Sequence, residues 1–187
     1  MQAKQIKFRF FTLFAVTILL TSCQFNATKP VSWQDEFQQK LPLLGHRNWV
    51  LVVDKAFPLQ SAQGMTIINT GEQLPEVLRY VMGSISTSTH VKPIVFTDLE
   101  FAQITEDLSP GVDNLKKSIA VSLKNYQQNT LLHNDVFAKL DSASSLFEVL
   151  VLKTESTIPY SSVFIELDCA YWNAEKEHKL RGKMTSK

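Results

Sequence analysis

Two ionisable side chains flank one apolar run in residues 44–58, which read LGHRNWVLVVDKAFP. His46 follows a glycine on the N-terminal side, Asp54 ends the run eight residues later, and Pro58 stands four residues beyond that. Residues 49–53 are short, Val-rich and bounded by turn signals, so they predict a strand buried on both faces, as parallel sheets require. Polar groups at the mouths of such strands are where α/β proteins build sites. The chemistry open to this pair is proton transfer, because an imidazole with an ordinary pKa of about 6.5 both gives and takes a proton near neutrality. Taken singly, the two residues have plainer readings: His46 as a turn residue and Asp54 as a strand-end turn former.

Three further side chains join them as candidates. His133 stands in LLHND, a short apolar piece that leads into a helix. Tyr160 and Ser162 stand in IPYSSVFI, immediately before an apolar strand. On residue type alone His133 reads as a helix-start residue and Tyr160 as a core or interface aromatic with its hydroxyl tied off. Glu166 and Asp168 read as the polar face of a strand, and Cys169 as a small buried residue.

Other chemistries lack their residues. The four histidines, His46, His90, His133 and His178, are scattered, and neither HxxxH nor CxxC occurs, so no metal is expected. Gly-rich phosphate loops and a GxSxG elbow are missing as well. No cofactor is expected. A net charge of +1 argues against nucleic acid as a partner.

The elements that must position these side chains follow from periodicity. Ser32 caps a helix whose Trp33, Phe37 and Leu41 recur at helical spacing, with Pro42 ending it. Residues 65–69 predict a second strand. Pro75 opens a helix carrying Leu74, Val77, Leu78, Val81 and Met82, and residues 91–96 predict a third strand, with Pro93 at its start or on an edge. Residues 98–112 show no clear period. A helix over 113–126, one after His133, strands at 147–152 and 163–167, and a last helix capped by Asn173 complete the order. Strands alternating with helices predict a three-layer α/β fold, a mixed or mostly parallel sheet with helices on both faces. With 187 residues, 44% apolar and 20% charged, the chain holds one domain with a proper core.

The first residues carry a different message. Lys4, Lys7 and Arg9 precede an apolar stretch at 10–20, the n-region and h-region of a secretory signal and too short to span a bilayer. It closes on Leu20-Thr21-Ser22-Cys23, which resembles the bacterial lipobox; the resemblance implies that residues 1–22 are removed and that Cys23 is acylated. Several acyl chains on one cysteine give stable anchoring where one is marginal. Removal would take away three of the 19 Lys and Arg and none of the 18 Asp and Glu, leaving a net charge of −2. Cys169 would be the only thiol left, so no intrachain disulfide is expected. Residues 23–31 then read as a tether and 32–187 as the domain, facing the periplasm. Gln24, in place of an inner-membrane retention aspartate, favours the outer membrane.

The Gly-His pair, Asp54, Pro58 and the segment around Tyr160 together resemble the D-ribose pyranase and L-fucose mutarotase family, over roughly residues 32–168. The resemblance implies a monosaccharide substrate, ring opening and closing by His46 as acid/base, and Asp54, His133, Tyr160 and Ser162 as sugar contacts. Glu155 lies near a glutamate of the pattern. Ser162 stands where the family has asparagine, and the spacing from His133 to Tyr160 is several residues long. A homo-oligomer with sites near subunit contacts is also implied. The alternative is an envelope module that kept the fold, binds a sugar or another ligand, and lost the reaction.

Overall fold

The computed structural model describes residues 31–185; the predicted signal, Cys23 and all of the tether but Val31 lie outside the described residues. The described chain begins with a capping box, in which the Ser32 hydroxyl accepts from the Asp35 backbone N–H and the Asp35 carboxylate accepts from Ser32. This starts α1 (Trp33–Lys40), and a 3₁₀ turn containing Pro42 (Leu41–Leu43) ends it. Next come β1 (Trp49–Val53), β2 (Met65–Asn69), α2 (Leu74–Thr87), β3 (Val91–Asp98) and the short α3 (Leu99–Gln103). α4 (Val112–Leu123), β4 (Gln128–Leu131), α5 (His133–Ser144), β5 (Val149–Lys153), β6 (Val163–Cys169) and α6 (Ala174–Thr185) follow.

One six-stranded sheet runs in the order β2-β5-β1-β6-β3-β4. β5 is parallel to β2 and β1, and β4 is parallel to β3, whereas β6 is antiparallel to both of its neighbours. The sheet is therefore mixed, with its reversed strand in the interior. β1 is buried at all five positions, as expected of a strand with helices on both faces. Pro93 falls inside β3, opposite Leu167 of β6, at a point that β4 does not reach because its pairing starts at Val95. One side of β3 is open there, which is where a strand tolerates a missing N–H.

Alternation divides the apolar side chains into two cores. Val50, Val52, Leu150, Leu152 and Ile165 face α1, α2 and α4, whose Phe37, Leu78 and Leu123 are fully buried. Leu51, Val53, Val151 and Phe164 face α5 through Val136 and Leu140. α6 buries none of its residues, in agreement with its reading as a solvated, charged helix. Cys169 is only partly buried, because β6 runs out of the core at its C-terminal end. Among the described residues no helix is long and apolar enough to cross a membrane.

Candidate active site

The parallel strands β1, β3, β4 and β5 all end at one edge of the sheet, and the antiparallel β6 begins there, with Val163 paired to Val52 on one side and Thr97 on the other. Asp54 follows β1, Asp98 ends β3, and His133 opens α5 two residues after β4. Tyr160 and Ser162 lead into β6. Elements far apart in sequence thus deliver polar side chains to the C-terminal edge of the parallel strands, the usual place for a ligand in an open α/β sheet.

Asp54, His133, Tyr160 and Ser162 line one cleft of about 270 Å³, together with Phe57 and Phe137. That volume is at the small end of ligand sites, which start near ~300 Å³. Ser162 Oγ accepts from the Asp54 backbone N–H at 3.2 Å and lies 3.1 Å from Asp54 Oδ2, to which it donates. Asp54 Oδ1 accepts from the Ala56 N–H at 2.8 Å, which closes the loop that carries Phe57 and Pro58. Tyr160 has a φ of 56°, a left-handed backbone that side-chain-bearing residues rarely adopt. The Ser161 hydroxyl, bonded to the Ile158 carbonyl at 2.7 Å, holds that turn. The Tyr160 ring meets the His133 ring edge-on at 5.2 Å between centroids, and Phe137 lies 4.6 Å from His133.

His133 is fixed at two points. Its backbone N–H donates to the Glu100 carboxylate at 3.1 and 3.2 Å, and its Nδ1 lies 2.8 Å from Asp98 Oδ2. Asp98 is 2% exposed. Burial pushes its carboxyl from an ordinary 3.8 up to about 6, assisted by the charges of Glu100 and Asp54 and opposed by its contact with His133. Neither Asp98 nor Glu100 was among the residues singled out by sequence. The signal was available: like Asp54, Asp98 is a carboxylate just past an apolar run predicted as a strand.

His46 is elsewhere. It precedes β1 whereas Asp54 follows it, so the five residues of the strand, roughly 17 Å at about 3.3 Å each, separate it from the cleft. One chain does not bring His46 to the other four residues, because a strand's two mouths open at opposite edges of its sheet. His46 Nδ1 instead lies 3.1 Å from Asp168 Oδ1, and Lys92 Nζ approaches the other oxygen at 3.1 Å. Burial would raise the Asp168 carboxyl, but the hydrogen bonds from Lys92 and from the Cys169 backbone, with the charges of Lys92 and His46, hold it below the usual range. Glu155 pairs with Lys55 beside the loop of Asp54 and does not line the cleft. A larger hollow of about 580 Å³ lies between α1 and α2, lined by Trp33, Glu72, Glu76, Arg79 and Tyr80; it contains no histidine. Among the described residues no group of three or more His, Cys, Asp or Glu converges as a metal site.

The arrangement is that of an α/β protein with a small cleft of polar and aromatic side chains at the strand ends. Its fold is shared with solved structures of sugar-handling proteins. Bacillus subtilis RbsD, in complex with D-ribose, superposes with a TM-score of 0.53 at 12% identity, over 75% of this chain and 97% of that one. The fucose mutarotase of Streptococcus pneumoniae, in complex with L-fucose, gives 0.51 at 14% identity over 75% and 98%. FucU from Bifidobacterium longum gives 0.51 at 15% identity over 71% and 93%. No family model and no curated protein sequence matches the chain. At these identities the likeness establishes the fold.

Proposed function

We propose that this protein binds a monosaccharide and interconverts its anomers or ring forms, as a mutarotase or pyranase, by histidine acid/base catalysis. The observation that carries the reading is the convergence of Asp54, His133, Tyr160 and Ser162 on one cleft at the strand ends. The sugars held by the structural neighbours, D-ribose and L-fucose, support the substrate class. Such a reaction needs a positioned acid and base, which typically contribute ~10²–10⁴-fold. His46 reaches a sugar in this cleft only from a neighbouring copy of the chain, in a homo-oligomer with sites at subunit contacts. The test is magnetisation-exchange NMR of ribose, fucose, galactose and glucose with the full-length protein. Accelerated exchange of one sugar supports the reading, and unchanged exchange of all four overturns it.

One observation favours the alternative of a binding module without the reaction. Ser162 spends its hydroxyl on Asp54 instead of offering the cleft an amide. Tight binding of a sugar with no acceleration of its exchange would establish that alternative.

The same reading includes anchoring in a bacterial envelope through Cys23, at the outer membrane and facing the periplasm. It is supported by the charged, apolar and LTSC segments that end at this cysteine. Incorporation of an alkyne-tagged palmitate, lost in Cys23→Ala, is the expected result; an unlabelled protein in the soluble fraction would sink it.

A further inference from the structure

The buried carboxylate of Asp98 does one thing in this fold: Oδ2 meets His133 Nδ1 at 2.8 Å, while Oδ1 is buried with no hydrogen-bond partner among the described residues. Leaving a buried acceptor unmade typically costs ~1–3 kcal/mol, so a carboxylate is a poor choice for this position on stability grounds. An amide or an apolar residue would fill the end of β3 at lower cost. The feature that a carboxylate adds is a negative charge held against one nitrogen of an imidazole.

The geometry around His133 makes use of that charge. Glu100 holds the main chain and Asp98 holds the ring, so the imidazole has little freedom. With Nδ1 engaged, Nε2 is the ring nitrogen left without a partner among the described residues, on a side chain that lines the cleft. An ionised carboxylate at Nδ1 keeps the proton on that nitrogen and leaves the lone pair on Nε2, and it stabilises the imidazolium formed when Nε2 takes a proton. These are the requirements of a general base with an orienting partner.

We propose that His133 is the acid/base of this cleft and that Asp98 is its positioning residue. The inference rests on the reading of the cleft as a sugar ring-opening site. In the step assigned, His133 Nε2 takes the proton of the anomeric hydroxyl and the exocyclic C–O bond becomes the carbonyl. The bond from the anomeric carbon to the ring oxygen breaks with its electron pair going to that oxygen, which takes the proton of the Tyr160 hydroxyl. Closing on the other face of the carbonyl returns both protons, so catalyst and sugar end with the atoms and charges they began with. No oxidant, reductant or metal enters the balance.

Asp98 shares a hydrogen bond with His133, and Glu100 and Asp54 are the other charged groups acting on its carboxyl. As the pH falls through about 6, Asp98 takes up a proton and no longer supports an imidazolium beside it. The rate constant of the catalysed exchange is therefore expected to fall on the acid side of that point.

The experiment measures sugar exchange by NMR from pH 4.5 to 8 for the full-length wild type, His133→Gln and Asp98→Asn, with sugar binding followed on the same samples. The expected result is a loss of at least 100-fold in His133→Gln. Asp98→Asn is expected to lose 10-fold or more in the rate constant of exchange above pH 7 while binding the sugar with an affinity within a few-fold of wild type. Asp98 acting only as a structural residue would lower rate and affinity together, or neither, and this overturns its assignment. Catalysed exchange retained in a folded His133→Gln overturns the inference and leaves the mutarotase reading intact. Absence of catalysis in the wild type overturns both. Should His133→Gln fail to fold, the loss of rate at unchanged affinity in Asp98→Asn decides alone.

Discussion

Asp54 and Ser162, 108 residues apart in sequence, are joined through one oxygen: Ser162 Oγ accepts from the Asp54 backbone N–H and donates to the Asp54 carboxylate. The serine lies against the end of β1 with 4% of its surface exposed, so it fixes the position of the carboxylate rather than the chemistry of the cleft. Ser162→Ala removes both bonds and leaves Asp54 to its Ala56 contact alone. A loss of about 1–2 kcal/mol in unfolding free energy is expected, from denaturant titration, with severalfold weaker sugar binding. Unchanged affinity would show that Asp54 holds its place without the serine.

Tyr160 occupies a left-handed backbone at φ 56°. Such strain persists where the surroundings impose it, and it costs of order ~1–3 kcal/mol. Tyr160→Gly releases the strain, adds chain entropy to the unfolded state and removes the ring beside His133. Thermal stability is expected to stay within about 1 kcal/mol of wild type while sugar affinity falls at least tenfold. A large loss of stability would mean that the ring serves the core, not the cleft.

Burial raises Asp98 from its ordinary 3.8 to about 6, and this has a direction in folding. Between roughly pH 4 and 6 the folded chain keeps a proton that the unfolded chain has released, so the contribution of this group to stability falls as the pH rises through that window. Asp98→Asn has no such dependence. Stability of the variant relative to wild type is therefore expected to improve from pH 4 to pH 7, by up to about 3 kcal/mol, in urea titrations at the two pH values. A difference that does not change with pH would show that the carboxyl keeps its ordinary pKa.

Two glycines give opposite expectations. A Cβ on Gly64 would collide with the backbone carbonyls of Ser144 and Phe147, where β2 begins under the end of α5. Gly83, exposed within α2, has nothing within 4 Å of where its Cβ would stand. Gly64→Ala should lower the melting point by the equivalent of about 1–3 kcal/mol, and Gly83→Ala should raise it by the equivalent of about 0.5–1 kcal/mol. The pair of melting curves checks both.

Strands and helices with strong local patterns were legible in the sequence. Residues 49–53 and 65–69 are strands at the expected positions, and Pro75 opens α2 as its fixed φ allows. β4 lies mostly ahead of the apolar pair Leu131 and Leu132, at Gln128–Leu131. Its sequence QNTL is polar because an edge strand with one neighbour buries little, and alternation of half-buried and exposed positions carries no apolar run to detect. α3, at five residues, is too short to establish a period. Four of the five sugar-site candidates meet in one cleft, but His46 does not, since nearness along a strand is not nearness in space. The Asp98 carboxylate past an apolar run is visible in the sequence, but its pairing with His133, 35 residues on, exists only once β3 and β4 are adjacent.

The reversed strand β6 is the element that completes the cleft. Because it enters the sheet between β1 and β3 and is nearly the last element of the domain, Tyr160 and Ser162 reach Asp54, Asp98 and His133 only when the final strand has been inserted. Pairings of such sequence separation form late and slowly in folding. A partly synthesised or partly folded chain therefore has no cleft, and any ligand of the cleft recognises only the finished fold. A ligand held there stabilises the whole domain by mass action, so the protein with its cleft filled resists unfolding more than the same protein with it empty.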